Sequence, residues 1–205
     1  MKKDEITTIY SQTDKVILEA AMEEVMLRIN LIRKQEVALG LRDPVEHVKG
    51  RLKSEKSMIE KLKKKGYPIT SESAFSNVRD GVGIRIVCMF VDDVYRLAET
   101  IRNQGDFLIV KQKDYIENPK SNGYRSLHLI VKVPVHMVDE IRKVFVEIQI
   151  RTIAMDTWAS LEHQLKYKQN VKNQELIVDE LKRCASELAS TDLSMQMIQK
   201  MIEDS

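Results

Sequence analysis

Several classes of protein are excluded by what this sequence has little of. Its only two cysteines, Cys88 in a strand-like run and Cys184 in a helical one, show no metal-ligand spacing, and both read as buried, inert thiols. No apolar run approaches the length of a bilayer span, and the amino terminus MKKDEITTIY carries no apolar stretch of the secretion-signal kind. The expected setting is therefore the cytoplasm, with no membrane partner. There is no Walker A pattern, which removes the commonest phosphate loop. Internal repeats, low-complexity tracts and Pro/Gly-rich linkers are missing too, so residues 1–205 read as one domain.

What remains is an ordinary globular composition, 43% hydrophobic and 31% charged, in a chain long enough to bury a proper core. The net charge of +2 does not by itself suggest a nucleic-acid partner, but its distribution is uneven. Between residues 49 and 65, Lys49, Arg51, Lys53, Lys56, Lys61, Lys63, Lys64 and Lys65 stand against only Glu55 and Glu60. Positive charge this local suits a compact polyanion better than a long one.

Leu18, Met22, Val25, Ile29 and Ile32 recur at helical spacing, which predicts an amino-terminal helix within residues 1–40, ended by Gly40 and Pro44. Val45 to Lys53 reads as extended. Ser54 then caps a helix, SEKSMIEKLKKK, whose lysine-rich last turn suits the helix dipole and whose stop is Gly66. A short helix near 71–77, a strand over 83–90 and a helix over DDVYRLAETIRNQ, capped by Asp92 or Asp93, come next. Strands over 107–116, 126–133 and 143–151 follow. Trp158, Leu161 and Leu165 give the next helix an apolar stripe. Residues 174–204 form a last helix with Ile177, Leu181, Cys184, Leu188, Met195, Ile198 and Ile202 at near-heptad spacing. The architecture expected is α+β: a mixed, mainly antiparallel sheet flanked by helices, with a core over 44–168 and long helices at both ends of the chain.

Alternation along the strands sorts the polar residues by face. In VFVEIQIR, Glu147, Gln149 and Arg151 point away from Val146, Ile148 and Ile150, and in GIRIVCMF Arg85 lies opposite Ile84, Ile86 and Cys88. In SLHLIVKV, His128 and Lys132 lie opposite the leucine and valine row. Taken singly, a surface Glu147–Arg151 ion pair or a satisfied edge histidine explains each of them. Three strands that each present a polar residue argue for more. Arg51 and Lys53 share a face of an extended stretch, and Ser57 and Lys61 share a helix face that continues it. Those four line one groove leading to a helix amino terminus, a geometry that binds phosphate. Lys63, Lys64 and Lys65 need nothing beyond a solvated helix face. Asp80 precedes the turn-forming Gly81 and Gly83 at the mouth of the strand that carries Arg85. By topology it pairs with Glu147, and two carboxylates with substrate phosphate oxygens hold Mg²⁺.

The segment 113–128, KDYIENPKSNGYRSLH, places the turn formers Asn118-Pro119 and Asn122-Gly123 among two lysines, an arginine, a histidine and two tyrosines. Cations beside a stacking ring are what a nucleotide site uses.

Read in order, Arg51-Leu-Lys53-(x3)-Ser57-(x3)-Lys61, Asp80-(x2)-Gly83-Ile84-Arg85 and KDYIENPKSNGYRSLH form a series of blocks. Glu147-Ile-Gln149-Ile-Arg151-Thr152 and Met155-Asp156-Thr157-Trp158-Ala159-(x2)-Glu162-His163 complete it. Together, over about residues 44–168, they resemble the synthetase domain of RelA/SpoT-type alarmone synthetases. None of the four histidines is followed by aspartate, so nothing resembles the hydrolase domain of the long members, and nothing resembles their regulatory domains. The resemblance is to a small alarmone synthetase. It implies a nucleotidyltransferase-like fold that moves the β,γ-pyrophosphate of ATP to the 3′-hydroxyl of GDP or GTP, giving AMP and ppGpp or pppGpp in the stringent response. By matched position, Arg51 and Arg85 sandwich adenine, and Lys53, Ser57 and Lys61 hold the ATP phosphates. Asp80 and Glu147 bind Mg²⁺, and Glu147 also engages the attacking hydroxyl. Tyr124 stacks on guanine, while Lys113, Lys120 and His128 meet the acceptor's phosphates and ribose. Gln149, Asn122 and Asp156 belong to the same acceptor pocket. Gly81 stands where many members have isoleucine, Thr157 where an aromatic is usual, and Asp156 where some relatives carry asparagine.

Two other readings stay open. One keeps the fold and changes the acceptor to the 3′ end of tRNA, for which Lys63 to Lys65 offer a weak RNA-binding surface. The other is a non-catalytic nucleotide or RNA-binding module, against which both carboxylates argue. The terminal stripes are more apolar surface than one sheet edge needs to cover, and small alarmone synthetases are commonly homotetramers. A homo-oligomer, expected to be a tetramer, held through the terminal helices follows.

Overall fold

The computed structural model describes residues 8–166 and 174–204; residues 1–7 of the expected first helix and 167–168 of the expected core lie outside them. Five strands form one sheet: β1 (Val45–Leu52), β2 (Val82–Cys88), β3 (Leu108–Asp114), β4 (Leu127–His136) and β5 (Ile141–Thr152), in the order β1-β2-β5-β4-β3. The β2/β5 pair is parallel and the other three pairs are antiparallel, so the sheet is mixed and mainly antiparallel as expected. The helices are α1 (Gln12–Ala38), α2 (Glu55–Lys65), α3 (Ser71–Asn77), α4 (Val91–Asn103), α5 (Ile153–Lys166) and α6 (Gln174–Glu203).

The apolar rows of the strands face α1 and α4. Ile84, Ile86, Leu129, Ile148 and Ile150 are fully buried there together with Ile17, Ile29, Leu97 and Ile101. Each such side chain contributes on the order of 1.5–3 kcal/mol of transfer free energy. Gly50 of β1 lets α1 come close, because a Cβ there would stand 2.7 Å from the Met22 sulfur. The opposite face is flanked by α5, whose Asp156 meets Arg85 and Arg151, while α2 turns Met58 and Leu62 into the same core as α1 and ties Glu55 to Lys15 at 3.0 Å.

Local signals hold at several ends. The Ser54 hydroxyl accepts from the Ser57 amide, and Gly66 stops α2 at φ 69°, in the left-handed region that glycine enters freely. The start of α4 differs from expectation: Phe90 is the cap position, and Asp93 reaches back from the first turn to accept from the Phe90 amide at 3.2 Å. Asp93 is fixed there by Arg42 and Arg96.

The last two helices also depart from the apolar stripes read from sequence. On α5, Met155 and Trp158 are buried, the Trp158 indole donating to the Leu181 carbonyl of α6 at 2.8 Å, but Leu161 and Leu165 are exposed. On α6, Ile177, Leu181, Cys184 and Leu188 are half-buried, while Met195, Ile198 and Ile202 are exposed. The carboxyl-terminal half of α6 is anchored by polar contacts instead: Thr152 Oγ1 donates to Asp192 at 2.6 Å, and the Asp92 amide donates to Gln196 at 3.0 Å. Cys88 is buried and its thiol is pushed far above the usual range by burial, which makes it inert, whereas Cys184 keeps partial exposure. Among the described residues no helix is long and apolar enough to cross a membrane.

Candidate active site

Strand register carries one polar row across the entire open face. Lys49 pairs with Arg85, Arg85 with Gln149, Gln149 with His128, and His128 with Lys113, so one position from each of the five strands lies in a line. The next row brings Arg51 opposite Gly83 and Gly83 opposite Glu147. Because neighbouring residues in register share a face, side chains up to a hundred positions apart in the chain meet here without any special loop. A cleft of about 180 Å³ opens over these rows, lined by Lys49, Arg51, Asp80, Arg85, Glu147 and Gln149 among others.

Two carboxylates sit in this cleft. Asp80 Oδ2 is held by Lys61 at 2.6 Å and Lys53 at 3.3 Å, which fixes the end of α2 that faces the sheet. Asp80 Oδ1 is buried with no hydrogen-bond partner among the described residues, a costly arrangement for a carboxylate oxygen. Glu147 is reached by His128 Nδ1 at 3.3 Å and by the Gln149 amide at 2.8 Å. Burial alone drives its pKa up. The bond from His128 and the charge that imidazole carries when protonated, then the bond from Gln149 and the positive charge of Lys61, outweigh that and hold it below the ordinary carboxylate value. Lys61 thus links the two carboxylates. Among the described residues no group of three or more His, Cys, Asp or Glu side chains forms a ready-made metal cage. The bare Asp80 oxygen beside an ionised Glu147 fits a hard divalent cation whose remaining ligands are phosphate oxygens and water.

Of the expected phosphate groove, Lys53 and Lys61 converge on Asp80, and Ser57 stands in the first turn of α2 with its hydroxyl 3.0 Å from Ser54 Oγ. Arg51 lies across Gly83, its Nε 3.7 Å from where a Cβ would be, so glycine keeps the floor of the cleft low. Arg85 is paired with Asp156 at 3.2 Å, and burial together with the neighbouring Arg151 and Arg51 guanidiniums lowers its pKa.

The other end of the face is a closed network around Arg151. Its guanidinium donates to Asp156 Oδ1 (3.0 Å), to the Tyr124 hydroxyl (2.6 Å) and to Gln149 Oε1 (2.7 Å), and Nε donates to Ser126 Oγ (3.3 Å). Tyr124 OH lies 2.8 Å from His128 Nε2. The Tyr124 ring meets Tyr115, His128 and Trp158 edge to face, and the Lys120 ammonium stands 4.5 Å from its centroid. Lys113 lies farther out, 6.0 Å from the Tyr115 ring. The loop that carries Tyr124 is seated on both carboxyl-terminal helices. Asn122 donates to Glu162 of α5 at 3.0 Å, and Gly123, at φ 91°, passes so near α6 that a Cβ would stand 2.6 Å from Ala185 Cβ.

All the expected site residues thus border one face. Asp156 was expected with the acceptor residues, and its carboxylate in fact bridges Arg85 of the donor group and Arg151. The simple Glu147–Arg151 ion pair does not form; Arg151 is 3% exposed and turns to Asp156. Sequence reasoning passed over Lys49, although the alternation that joined Arg51 to Lys53 extends to it. It also gave Arg151 no part, and that residue's burial depends on α5, which no local pattern reveals.

An open sheet face on which two carboxylates sit among cations and stacking rings defines a protein built to handle phosphorylated nucleotides. The chain belongs to the RelA/SpoT family: residues 50–172 match the family described as the region found in RelA / SpoT proteins. It is 38% identical over 202 residues to the GTP pyrophosphokinase YwaC of Bacillus subtilis, a match that spans 98% of this chain and 96% of that protein. Among solved structures it is similar to small alarmone synthetase 1 of B. subtilis bound to its product pppGpp, with a TM-score of 0.83 and 36% identity over 92% of this chain and 95% of that one. A GTP pyrophosphokinase family protein from Streptococcus pneumoniae superposes with a TM-score of 0.85 at 32% identity, covering 97% of each chain.

Proposed function

We infer that this protein is a (p)ppGpp synthetase, transferring the β,γ-pyrophosphate of ATP to the 3′-hydroxyl of GDP or GTP with release of AMP. The observation that supports this most is the position of Glu147, between a cationic groove on one side and the Tyr124 cluster on the other. Arg51 and Arg85 flank the place for adenine, as guanidinium planes stack well on bases. Lys53 and Lys61 lie where the ATP phosphates run, with Ser57 at the amino end of α2. On the acceptor side guanine stacks on Tyr124. Lys120, exposed and parked over that ring, is displaced by the base toward the acceptor phosphates, where Lys113 joins it. His128 and Gln149 underlie the ribose, and Asn122 and Asp156 close the pocket.

Asp80 and Glu147 would hold Mg²⁺, which when bound neutralises charge on the migrating group. Glu147 accepts the proton of the 3′-hydroxyl as that oxygen attacks the β-phosphorus. The new O–P bond forms while the bond to the bridging oxygen breaks, and AMP leaves. Positioning and electrostatics carry most of such a transfer. ATP and guanine nucleotides as substrates fit a cytoplasmic enzyme of the stringent response.

The Leu18–Ile32 stripe expected to drive assembly is spent on the sheet core instead, but other exposed apolar residues of α1 (Leu27, Leu31, Val37) and those of α6 (Met195, Ile198, Ile202) support assembly through the terminal helices into a homotetramer. Light scattering at micromolar concentration is expected to give an oligomer; an active monomer would overturn this part. The activity itself is tested by incubating the protein with labelled ATP, Mg²⁺ and either GDP, GTP or deacylated tRNA. Label is expected on the guanine nucleotide. Label on tRNA alone favours the RNA reading, and label on neither removes the synthetase.

A further inference from the structure

We propose that the Tyr124 hydroxyl and the His128 imidazole form a positioning relay that sets the orientation of Glu147, coupling recognition of the acceptor base to the carboxylate that takes the 3′-hydroxyl proton. The proposal rests on the synthetase reading above and adds a second task for Tyr124. Its ring face is the stacking surface; its hydroxyl is the first link to the carboxylate.

The donor logic fixes the direction of each bond. Arg151 Nη2 has only hydrogens to offer, and it lies 2.6 Å from the Tyr124 oxygen, which must accept. The single phenolic proton then points to His128 Nε2, 2.8 Å away. With Nε2 accepting, the imidazole proton resides on Nδ1, which donates to Glu147 Oε1 at 3.3 Å. Both ring nitrogens are thereby committed, which leaves His128 as a positioning residue. The residue is 7% exposed and its ring is clamped edge to face between Tyr115, at 5.2 Å, and Tyr124, at 5.8 Å. Gln149 completes the arrangement from the other side. Its oxygen takes a bond from the same Arg151 Nη2 at 2.7 Å, and its amide donates to Glu147 Oε2 at 2.8 Å. One guanidinium nitrogen therefore governs both oxygens of Glu147, one through Tyr124 and His128 and the other through Gln149. A base that stacks on Tyr124 and steadies that ring steadies the histidine and the carboxylate together. Correct acceptor binding and correct aim of the proton-accepting group become one event.

The two tasks of Tyr124 separate under Tyr124→Phe, which keeps the stacking ring and deletes the hydroxyl. The KM for GDP is expected to stay within about twofold, while kcat falls on the order of five- to tenfold, the scale of one hydrogen bond. His128→Asn keeps an amide donor near the Nδ1 position and is expected to retain more kcat than His128→Gln, which lacks it. In a double-mutant cycle, adding Tyr124→Phe to His128→Gln is expected to cost less than a further twofold, since the relay is already cut. Thermal melting of each variant is read alongside. An unchanged kcat in folded Tyr124→Phe, a loss confined to KM, or full multiplication of the two effects would overturn the relay while leaving the synthetase reading intact. A wild-type enzyme that makes no ppGpp or pppGpp overturns that reading, and the relay with it.

Discussion

The two ends of the polar face, proposed above for the donor and the acceptor nucleotide, are held in opposite ways. On the donor end Lys49 and Arg51 make no ion pair among the described residues, and Lys53 and Lys61 share a single carboxylate oxygen. On the acceptor end Arg151 spends every nitrogen on protein partners, Tyr124 and His128 are locked to each other, and the loop is bolted to α5 and α6. In the proposed reading the first region is lightly paired charge that a polyphosphate reorganises, and the second is a socket already assembled except for Lys120, which must leave the Tyr124 ring. Charge recognises a tri- or diphosphate by attraction, which tolerates small displacements. A base and a 3′-hydroxyl must be placed to within a fraction of an ångström of the attacking line, and that demands groups already fixed before the substrate arrives.

The largest effect is expected at Asp80, which gathers two cations beside Glu147. Asp80→Asn removes the charge that gathers Lys53 and Lys61, and turnover is expected to fall by about two orders of magnitude, with partial recovery at high Mg²⁺ if the role is metal binding. Steady-state ppGpp synthesis against Mg²⁺ concentration checks this. Tyr124→Ala is expected to act on one end alone. Loss of the stacking ring is worth roughly 1–3 kcal/mol, so GDP affinity falls about ten- to a hundredfold while ATP affinity holds. Equal losses for both nucleotides, measured by calorimetry, would erase the distinction between the ends.

The smallest effect probes whether the socket is truly preformed. Gly123→Ala forces a side chain onto a φ of 91° and into Ala185. It is expected to cost about 1 kcal/mol, roughly 2–4 °C in Tm, and to raise the KM for GDP severalfold without touching that for ATP. Adding Ala185→Gly is expected to relieve the collision but not the backbone strain.

Much of this face was legible because sheets obey a period of two. Alternation alone set Arg85, Glu147, Gln149 and His128 on one side, and the 3–4 spacing of Ser57 and Lys61 carried the groove onto α2. Elements and caps followed from local chemistry, as at Ser54 and Gly66. What stayed hidden depends on contacts between distant segments. Nothing near Leu161 and Leu165 says that they will stay exposed, and nothing near Arg151 says that Asp156 and Tyr124 will enclose it. Lys49 was readable by the same alternation and was obscured only by the abundance of lysines around it.

The join between the two ends is tested most directly by Glu147→Gln, which preserves shape while removing charge and basicity. Single-turnover ppGpp synthesis is to be measured beside ATP and GDP binding in the same preparation. Turnover is expected to drop at least about a hundredfold, with the fold intact and both nucleotides still bound. Near-normal synthesis by that variant would contradict the placement of the reaction at this carboxylate.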